Sequence, residues 1–328
     1  MLQFCLQVCP TATPDLVRRM RHSETGIRSA SQDSRHRTAR DRFVDEQDYA
    51  LRWRSASSIC LLSVNEAYSN MQRMALEEGL EVVVEVHDNK IHSYNEGKVI
   101  HFTGTTTTLQ SIPPDPIFGV PPSDGAFKFQ RYVQMYQWVE SSHETEDCDG
   151  TTNTEYSYTT KWVDHVVHSS RFHTREGHEN PISMMFPSET VIASKIDVGD
   201  FELSASVIGL MNWYQTSTTP LSTDSIPDKQ VRGQAQVWEN YVGHEYLYFS
   251  DIESNRIVAA SKCRQDCNFH VGDTLVSFRE VPQQTISVVA MQDGNQPITY
   301  STRQGGHFLL VEPGVHNASD MFEHAIHG

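Results

Sequence analysis

The sequence predicts a mainly β fold, with antiparallel sheets and hairpins and a few short helices. Three features lead to this prediction. Several segments alternate apolar and polar side chains with a period of two, the same segments are rich in β-branched and aromatic residues, and turn sequences separate them. The chain has 328 residues, which is long enough to bury a substantial core in one or two domains.

The first predicted element is a short helix in "NEAYSNMQRMALEEG". Asn65 is a suitable N-cap, and Gly79 is a natural position for the helix to end. A strand pattern follows, because apolar residues then alternate with partly polar neighbours at Leu80, Val82, Val84 and Val86.

A turn and a proline-rich segment come next. The turn "NEG" precedes a second strand, "KVIHFTGT", which carries β-branched and aromatic residues. The segment Ser111–Gly125 contains five prolines, which excludes a helix or a central strand. We therefore predict a long surface loop there.

An aromatic hairpin is the strongest local prediction. The strands are "RYVQMYQWVE" and "TEYSYTTKW", and the acidic segment "SSHETEDCDGTTN" connects them as a loop. Opposed side chains in such a pair lie about 5 Å apart. We therefore expect the aromatic residues of the two strands to form a ladder, with Tyr132, Tyr136 and Trp138 against Tyr156, Tyr158 and Trp162. Core packing of an inner strand and a recognition surface are both compatible with this pattern.

The C-terminal third is also rich in predicted strands. These are "DTLVSFREV", "QTISVVAMQ" and two more in "PITYSTRQGGHFLLVEPG", with a hairpin turn at Asp293–Asn295. The chain closes with a short helix for which Ser319 is the expected N-cap. We assign residues 65–328 to one domain, with two sub-sheets at about 80–205 and 230–318 as a further possibility.

Residues 1–64 are predicted to form a disordered Arg/Ser-rich tail. Positions 1–54 hold ten Arg, no Lys and seven acidic residues. The net charge of the whole chain is −16, which argues against a nucleic-acid partner. The uncharged run Leu203–Thr223 is too polar in its second half to span a membrane.

No catalytic, cofactor-binding or metal-binding residue is predicted. The sequence contains no G-x-S-x-G, P-loop or G-x-G-x-x-G motif. The spacing of four histidines does not fit the close pairs of metal sites, and we interpret them as polar loop and strand-end residues: His165, His168, His173 and His178. Glu144 and Glu146 are interpreted as solvated charges in a flexible loop.

Cysteine and glycosylation motifs are sparse. The chain has six Cys, too few for its length to imply a disulfide framework. Cys263 and Cys267 form a Cys-x3-Cys pair that bridges only in an oxidising compartment, and a zinc site there has only His270 as a further nearby ligand. Asn317-Ala318-Ser319 is the single N-glycosylation sequon.

A set of collinear motifs resembles the transmembrane protein 43 family, also called LUMA. The central ones are "MYQWVE", "YSY" followed by Trp162, "SSRF" and "GHENP", all within residues 131–181. Further out, "NEGKVIHFTG", "DPIFGV", "VGDTLVSF", "STRQG" and "MFEHAI" extend the resemblance over roughly residues 66–328.

The resemblance implies the lumenal region of a membrane protein of the endoplasmic reticulum and the inner nuclear membrane. Family members are implicated in nuclear envelope organisation through emerin and lamins, as scaffolds and not as enzymes. This sequence departs from the family pattern at both ends, where the flanking transmembrane helices are expected. Our hypothesis is that it represents a truncated gene model or product.

We therefore expect a non-catalytic organiser of the nuclear envelope and endoplasmic reticulum membrane, with protein partners of the emerin and lamin type. We also expect a homo-oligomer, no cofactor and no nucleic acid. Two alternatives remain. A module for a lipid or hydrophobic ligand requires an apolar cavity beside Trp138 and Trp162, and a metal-dependent hydrolase requires convergent histidines.

Overall fold

The protein is described from a computed structural model. The structure describes residues 65–146, 152–240, 242–250, 269–303 and 305–327. The prediction of a mainly β fold is confirmed, because most of the regular structure is strand and the strand pairs are nearly all antiparallel.

The described elements are numbered in chain order. The helices are α1 (65–82), α2 (Ala205–Leu210), α3 (Lys229–Gln234) and α4 (Ala318–His327). The strands of the first half are β1 (Val84–Glu85), β2 (Val99–Thr105), β3 (Lys128–Glu146), β4 (Thr152–Val163), β5 (Glu189–Ile192), β6 (Asp197–Val198), β7 (Phe201–Glu202) and β8 (Gln215–Thr216). Those of the second half are β9 (Gln236–Glu239), β10 (Glu245–Phe249), β11 (Thr274–Val281), β12 (Thr285–Asp293), β13 (Gln296–Ile298), β14 (Tyr300–Ser301), β15 (His307–Phe308) and β16 (Leu310–Pro313).

The chain divides into two compact units. Within the described ranges, the larger unit lies in residues 83–299 and 309–321, and the smaller lies in residues 65–82, 300–308 and 322–327. The two main sheets lie in the larger unit. One has the order β1-β2-β12-β13 with β16 also paired to β12, and the other has the order β4-β3-β11-β10-β9 with β5 on β3 and β8 on β11.

Both sheets combine strands from the two halves of the chain. β2 pairs with β12 along seven residues, and β3 pairs with β11 along eight. The ranges 80–205 and 230–318 are therefore interleaved and do not form separate sheets. Local patterns identify strands but not their partners, which are selected by burial of a common core.

One hydrophobic core contains residues of both sheets. It includes Phe102 and Val288 from the first sheet and Val133 and Phe278 from the second, each at most 3% exposed. The predicted hairpin at Asp293–Asn295 is confirmed, because β12 and β13 are joined there and pair antiparallel. β1 departs from the prediction of antiparallel pairing, since it pairs with β2 in parallel.

The proline-rich segment is irregular, as predicted, but it is not a surface loop throughout. Phe118 is fully buried and contacts the rings of Phe186, Phe249 and Phe278. Prolines exclude regular backbone hydrogen bonding, but they do not prevent an apolar side chain from entering the core.

Three predicted helix boundaries are wrong. α1 continues through Gly79 to residue 82, so Leu80 and Val82 are helical and only Val84–Glu85 is strand. In α4 the side chain of Asn317, not that of Ser319, caps the helix, because its Oδ1 accepts the N–H of Asp320 at 2.8 Å. Asn65 already lies inside α1 and is not its cap.

Candidate functional site

The aromatic hairpin is longer than predicted. β3 and β4 pair one to one from Met135–Val163 to Glu146–Thr152, without a bulge. The segment Ser141–Glu146 therefore continues β3 and is not part of a loop. Glu144 and Glu146, predicted in a flexible loop, lie on this strand, and both are exposed.

The expected six-residue ladder reduces to one aromatic pair. Tyr136 lies opposite Trp162, with ring centroids 5.2 Å apart. Trp138 lies opposite Thr160, and Tyr158 lies opposite Glu140. The register of the strand pair decides the partner of every residue, and alternation along each strand does not determine that register.

The two faces of β3 have different surroundings. Arg131, Val133 and Met135 are buried on the core face, whereas Tyr136 and Trp138 are half-buried on the other. Phe269 packs against the Tyr136–Trp162 pair, with centroid distances of 5.6 and 5.0 Å. The aromatic face is therefore a second, smaller packing layer.

Two of the four predicted loop histidines pack on this aromatic face. His178 stacks on Tyr158 at 3.9 Å and meets Trp138 edge-on at 4.7 Å. His173 stacks on Tyr156 at 4.2 Å with an interplanar angle of 3°. These contacts attach the segment after β4 to the hairpin.

Asn180 fixes the same segment to β3. Its Oδ1 accepts the N–H of Trp138 at 2.8 Å, and its Nδ2 donates to the carbonyl of Trp138 at 2.9 Å. The side chain of Asn180 thus takes the hydrogen-bonding place of a neighbouring strand. The "GHENP" motif contributes both His178 and Asn180, so its contacts in this structure are structural.

The remaining two histidines lie apart from that pair. His165 is exposed and bonds the carboxylate of Asp164 at 3.0 Å, which lowers the pKa of Asp164. His168 precedes the short 3-10 helix Ser169–Arg171. Within the described ranges, no three His, Cys, Asp or Glu side chains are grouped as a metal site requires.

Tyr132 occupies a separate polar position on the same face. The guanidinium of Arg279 lies 3.7 Å from the centre of its ring, and its hydroxyl donates to Asp164 at 3.1 Å. Burial, followed by the hydrogen bond to Asp164, raises the pKa of Tyr132. The arrangement favours the neutral form of the phenol.

The alternative of a hydrophobic-ligand module requires an apolar cavity beside Trp138 and Trp162. In the described part of the chain, His178 packs against Trp138 and Phe269 packs against Trp162. An open cleft of about 360 Å³ lies elsewhere, between the segment after β8 and the β9–β10 turn. Its lining is rich in hydroxyl side chains, including Thr216, Ser217, Thr218 and Thr219. Such a lining does not match the apolar surroundings that a lipid chain requires.

A buried ionic network was not predicted from the sequence. Arg131 is 1% exposed and donates to Asp115 at 2.5 Å, to Glu189 at 2.7 Å and to the carbonyl of Pro187 at 2.8 Å. Asp115 also accepts the N–H groups of Ile117 and Phe118. An Arg on the core face of an apolar strand is the sequence signal that identifies such a network.

The end of the hairpin is exposed on both faces. Ser141–Glu146 and Thr152–Ser157 are all exposed, and the ring of His173 stacks on one of these residues, Tyr156. We call these two segments the distal arm. Cys263, Cys267 and the predicted tail 1–64 lie outside the described residues.

Asn317, the predicted glycosylation acceptor, lies in the described part of the chain and is exposed. Its Nδ2 donates to the carboxylate of Asp320 at 2.8 Å, in addition to the capping bond made by its Oδ1. The sequon therefore occupies the start of α4.

Comparisons with known proteins agree with the motifs of the hairpin. A family profile described as Transmembrane protein 43 matches residues 135–327. Transmembrane protein 43 of Mus musculus is 32% identical over 281 residues, which is 81% of this chain and 63% of the mouse protein. The Homo sapiens protein is 29% identical over the same length, and the Drosophila melanogaster homolog is 30% identical over 234 residues, 69% of this chain and 55% of its own.

The chain thus spans about 63% of the length of the mammalian relatives. No solved structure matches it significantly. Among the described residues, no helix has both the length and the apolar character needed to cross a bilayer. The family profile covers more than half of the chain, and the chain therefore belongs to the Transmembrane protein 43 family.

Proposed function

We propose that this chain contributes a lumenal, non-catalytic domain to an organiser of the nuclear envelope and endoplasmic reticulum membrane. Membership of a membrane-protein family supports the membrane setting. The observation that carries the proposal is the distal arm, a protruding hairpin of twelve described residues that are exposed on both faces. A long exposed hairpin offers a binding surface to other macromolecules but no pocket for a substrate.

The composition of the distal arm supports a protein partner. It is polar and carries three carboxylates, at Glu144, Glu146 and Glu155, and one imidazole, at His143. Such a surface is soluble when free, and it presents backbone and hydroxyl groups for hydrogen bonding. We propose emerin- and lamin-type proteins of the envelope as its partners. From the lumenal side, the distal arm reaches lamins through membrane-spanning envelope proteins.

The lumenal orientation is tested with an epitope inserted between Glu146 and Thr152 in the full-length protein. We expect antibody staining at the nuclear rim and reticulum only after detergent opens the internal membranes. Staining after selective opening of the plasma membrane alone contradicts a lumenal domain.

The role of the distal arm is tested by deletion. Ser141 and Ser157 are opposite each other in the hairpin and form a hydrogen-bonded pair, so an Asn-Gly turn between them replaces residues 142–156 without changing the register. We expect this variant to keep its folded body and its location while losing most of the emerin and lamin that co-precipitate with the wild type. Undiminished co-precipitation contradicts the proposed binding role.

A further inference from the structure

The outer edge of β4 has unused backbone hydrogen-bonding groups. β4 is the terminal strand of its sheet, next to β3. The N–H of Tyr136 donates to Asp273, and its carbonyl accepts from Gly272, so both groups of Tyr136 point away from β4. The backbone groups of successive residues point to alternate sides of a strand. The residues on either side of Tyr136 therefore form backbone hydrogen bonds with β4, whereas Tyr136 does not.

The same alternation determines which residues of β4 direct their backbone N–H and carbonyl groups to the free edge. Gln137 pairs with Lys161, so the odd-numbered residues of β4 direct their backbone groups to β3. The even-numbered residues direct theirs to the free edge: Thr154, Tyr156, Tyr158, Thr160 and Trp162. No described residue forms a hydrogen bond to these outward groups.

This edge lacks the usual protection against pairing. Natural edge strands are commonly short, bulged, interrupted by proline or covered. β4 has twelve residues, contains no Pro or Gly, pairs with β3 without a bulge, and none of its residues is buried. It carries only two charged residues, Glu155 and Lys161.

The positions of those two charges indicate which strand can pair with the free edge of β4. Glu155 and Lys161 lie three residues before and three residues after Tyr158. When two β4 strands run antiparallel and cross at Tyr158, each Glu155 lies opposite Lys161 of the second copy. The two charges are six positions apart in the strand, so no other antiparallel register places them opposite each other.

The same register also provides hydrogen-bond partners for the outward backbone groups of both copies. It places even-numbered residues opposite even-numbered residues, so outward N–H and carbonyl groups of both copies meet as hydrogen-bonded pairs. Glu155 and Lys161 then fall in the pairs without hydrogen bonds, whose side chains are closer together. Tyr156 lies opposite Thr160 of the second copy, which opposes an aromatic and a β-branched residue.

We propose that two copies of this chain associate through antiparallel pairing of β4, centred on Tyr158, with a two-fold axis. The interface joins two sheets into one continuous sheet and has two Glu155–Lys161 pairs by symmetry. It rests on the described edge and does not require the proposed envelope role, although Thr154–Ser157 belong to both surfaces. Because one strand pair is a small contact, we expect a weak dimer with a roughly micromolar dissociation constant.

Exchange of the two charges tests the register. Dimerisation of the full chain is measured by sedimentation equilibrium. Glu155→Lys or Lys161→Glu alone places like charges opposite each other at both symmetric pairs, and we expect dimerisation to weaken about tenfold or more. The double variant Glu155→Lys with Lys161→Glu restores opposite charges, and we expect an affinity close to that of the wild type. Equal effects of the single and double variants overturn the register.

A proline substitution tests whether the free edge of β4 forms the interface. Thr160→Pro removes an outward N–H that β3 does not use, so an edge strand tolerates it, and we expect the dimer to be lost. Thr160→Ala loses the same hydroxyl bond to Tyr136 but keeps the N–H, and we expect it to dimerise. Circular dichroism checks that both variants remain folded. A dimer that survives Thr160→Pro, or a wild-type chain that stays monomeric up to about 100 μM, overturns the proposal.

Discussion

At the scale of single residues, Arg131 connects segments that are distant in sequence. Its guanidinium contacts the proline-rich segment through Asp115 and the entry to β5 through Glu189. Asp115 is itself 7% exposed, so its carboxylate depends on fixed protein donors in place of water. Removing one member of a buried ion pair leaves the other without a partner, which is the costly case.

We therefore predict that Arg131→Met lowers the free energy of unfolding by about 3–5 kcal/mol. The matched control is Arg73→Met, because Arg73 forms an exposed i,i+4 pair with Glu77 and such pairs contribute only about 0.3–0.5 kcal/mol. Urea denaturation followed by tryptophan fluorescence measures both changes. Similar stabilities of the two variants contradict a structural role for the buried network.

Tyr248 is expected to make stability dependent on alkaline pH. Burial, followed by the hydrogen bond from its hydroxyl to Asp273, raises its pKa above the usual value of 10.0. The folded state therefore favours the neutral phenol, so its contribution is complete below pH 10 and is lost as the pH rises above 10.

For Tyr248→Phe we predict a loss of about 1 kcal/mol at pH 8, because the hydrogen bond to Asp273 is removed. The part of the alkaline destabilisation that arises from this phenol disappears in the variant. Urea titrations at pH 8 and above pH 10 measure the difference, and Tyr94→Phe at an exposed position is the control. If the free energy of unfolding depends on pH equally in the wild type and in Tyr248→Phe, Tyr248 is not the source of the alkaline destabilisation.

At the scale of elements, Gly79 shows how a local signal is misread. A glycine after an amphipathic run usually ends a helix, yet α1 continues past this one. A Cβ added at Gly79 would lie 2.4 Å from Cζ of Phe308 and 2.9 Å from Cε1 of Phe322. The glycine is therefore needed for close packing of two aromatic rings and not for chain reversal.

Gly79→Ala is predicted to destabilise the smaller unit by about 1–3 kcal/mol, because overpacking outweighs the better helix propensity of alanine. Gly233→Ala in α3 is the matched control, since nothing lies within 4 Å of a Cβ added there. We expect the control to be neutral or slightly stabilising. Thermal unfolding by circular dichroism compares the two, and a stabilising Gly79→Ala rules out the packing explanation.

At the scale of the whole molecule, the interleaved sheets couple the two halves of the chain. β3 lies between β4 and β11, and β12 lies between β2 and β13. Dividing the chain between residues 205 and 230 therefore separates β3 from β11 in one sheet and β2 from β12 in the other. Neither half retains the pairing partners that bury its apolar face.

We predict that fragments 80–205 and 230–318, expressed separately, show no cooperative unfolding transition, whereas the full chain does. Sheet pairs that cross the cut are absent in each fragment, so its core residues remain solvent-exposed. Urea titrations with fluorescence detection measure this, and mixing the two fragments is the control for complementation. A sigmoidal transition in either fragment alone would show that it is an independent domain.

The sequence by itself determined the mainly β class, the aromatic hairpin, the β12–β13 turn and the family. These depend on local periodicity, turn residues and collinear motifs, all readable over ten or twenty positions. Tertiary structure decided which strands pair, the register opposite Trp138, the helical course through Gly79 and the burial of Arg131. Each of these depends on contacts between residues remote in sequence, where burial of a shared core outweighs local preference.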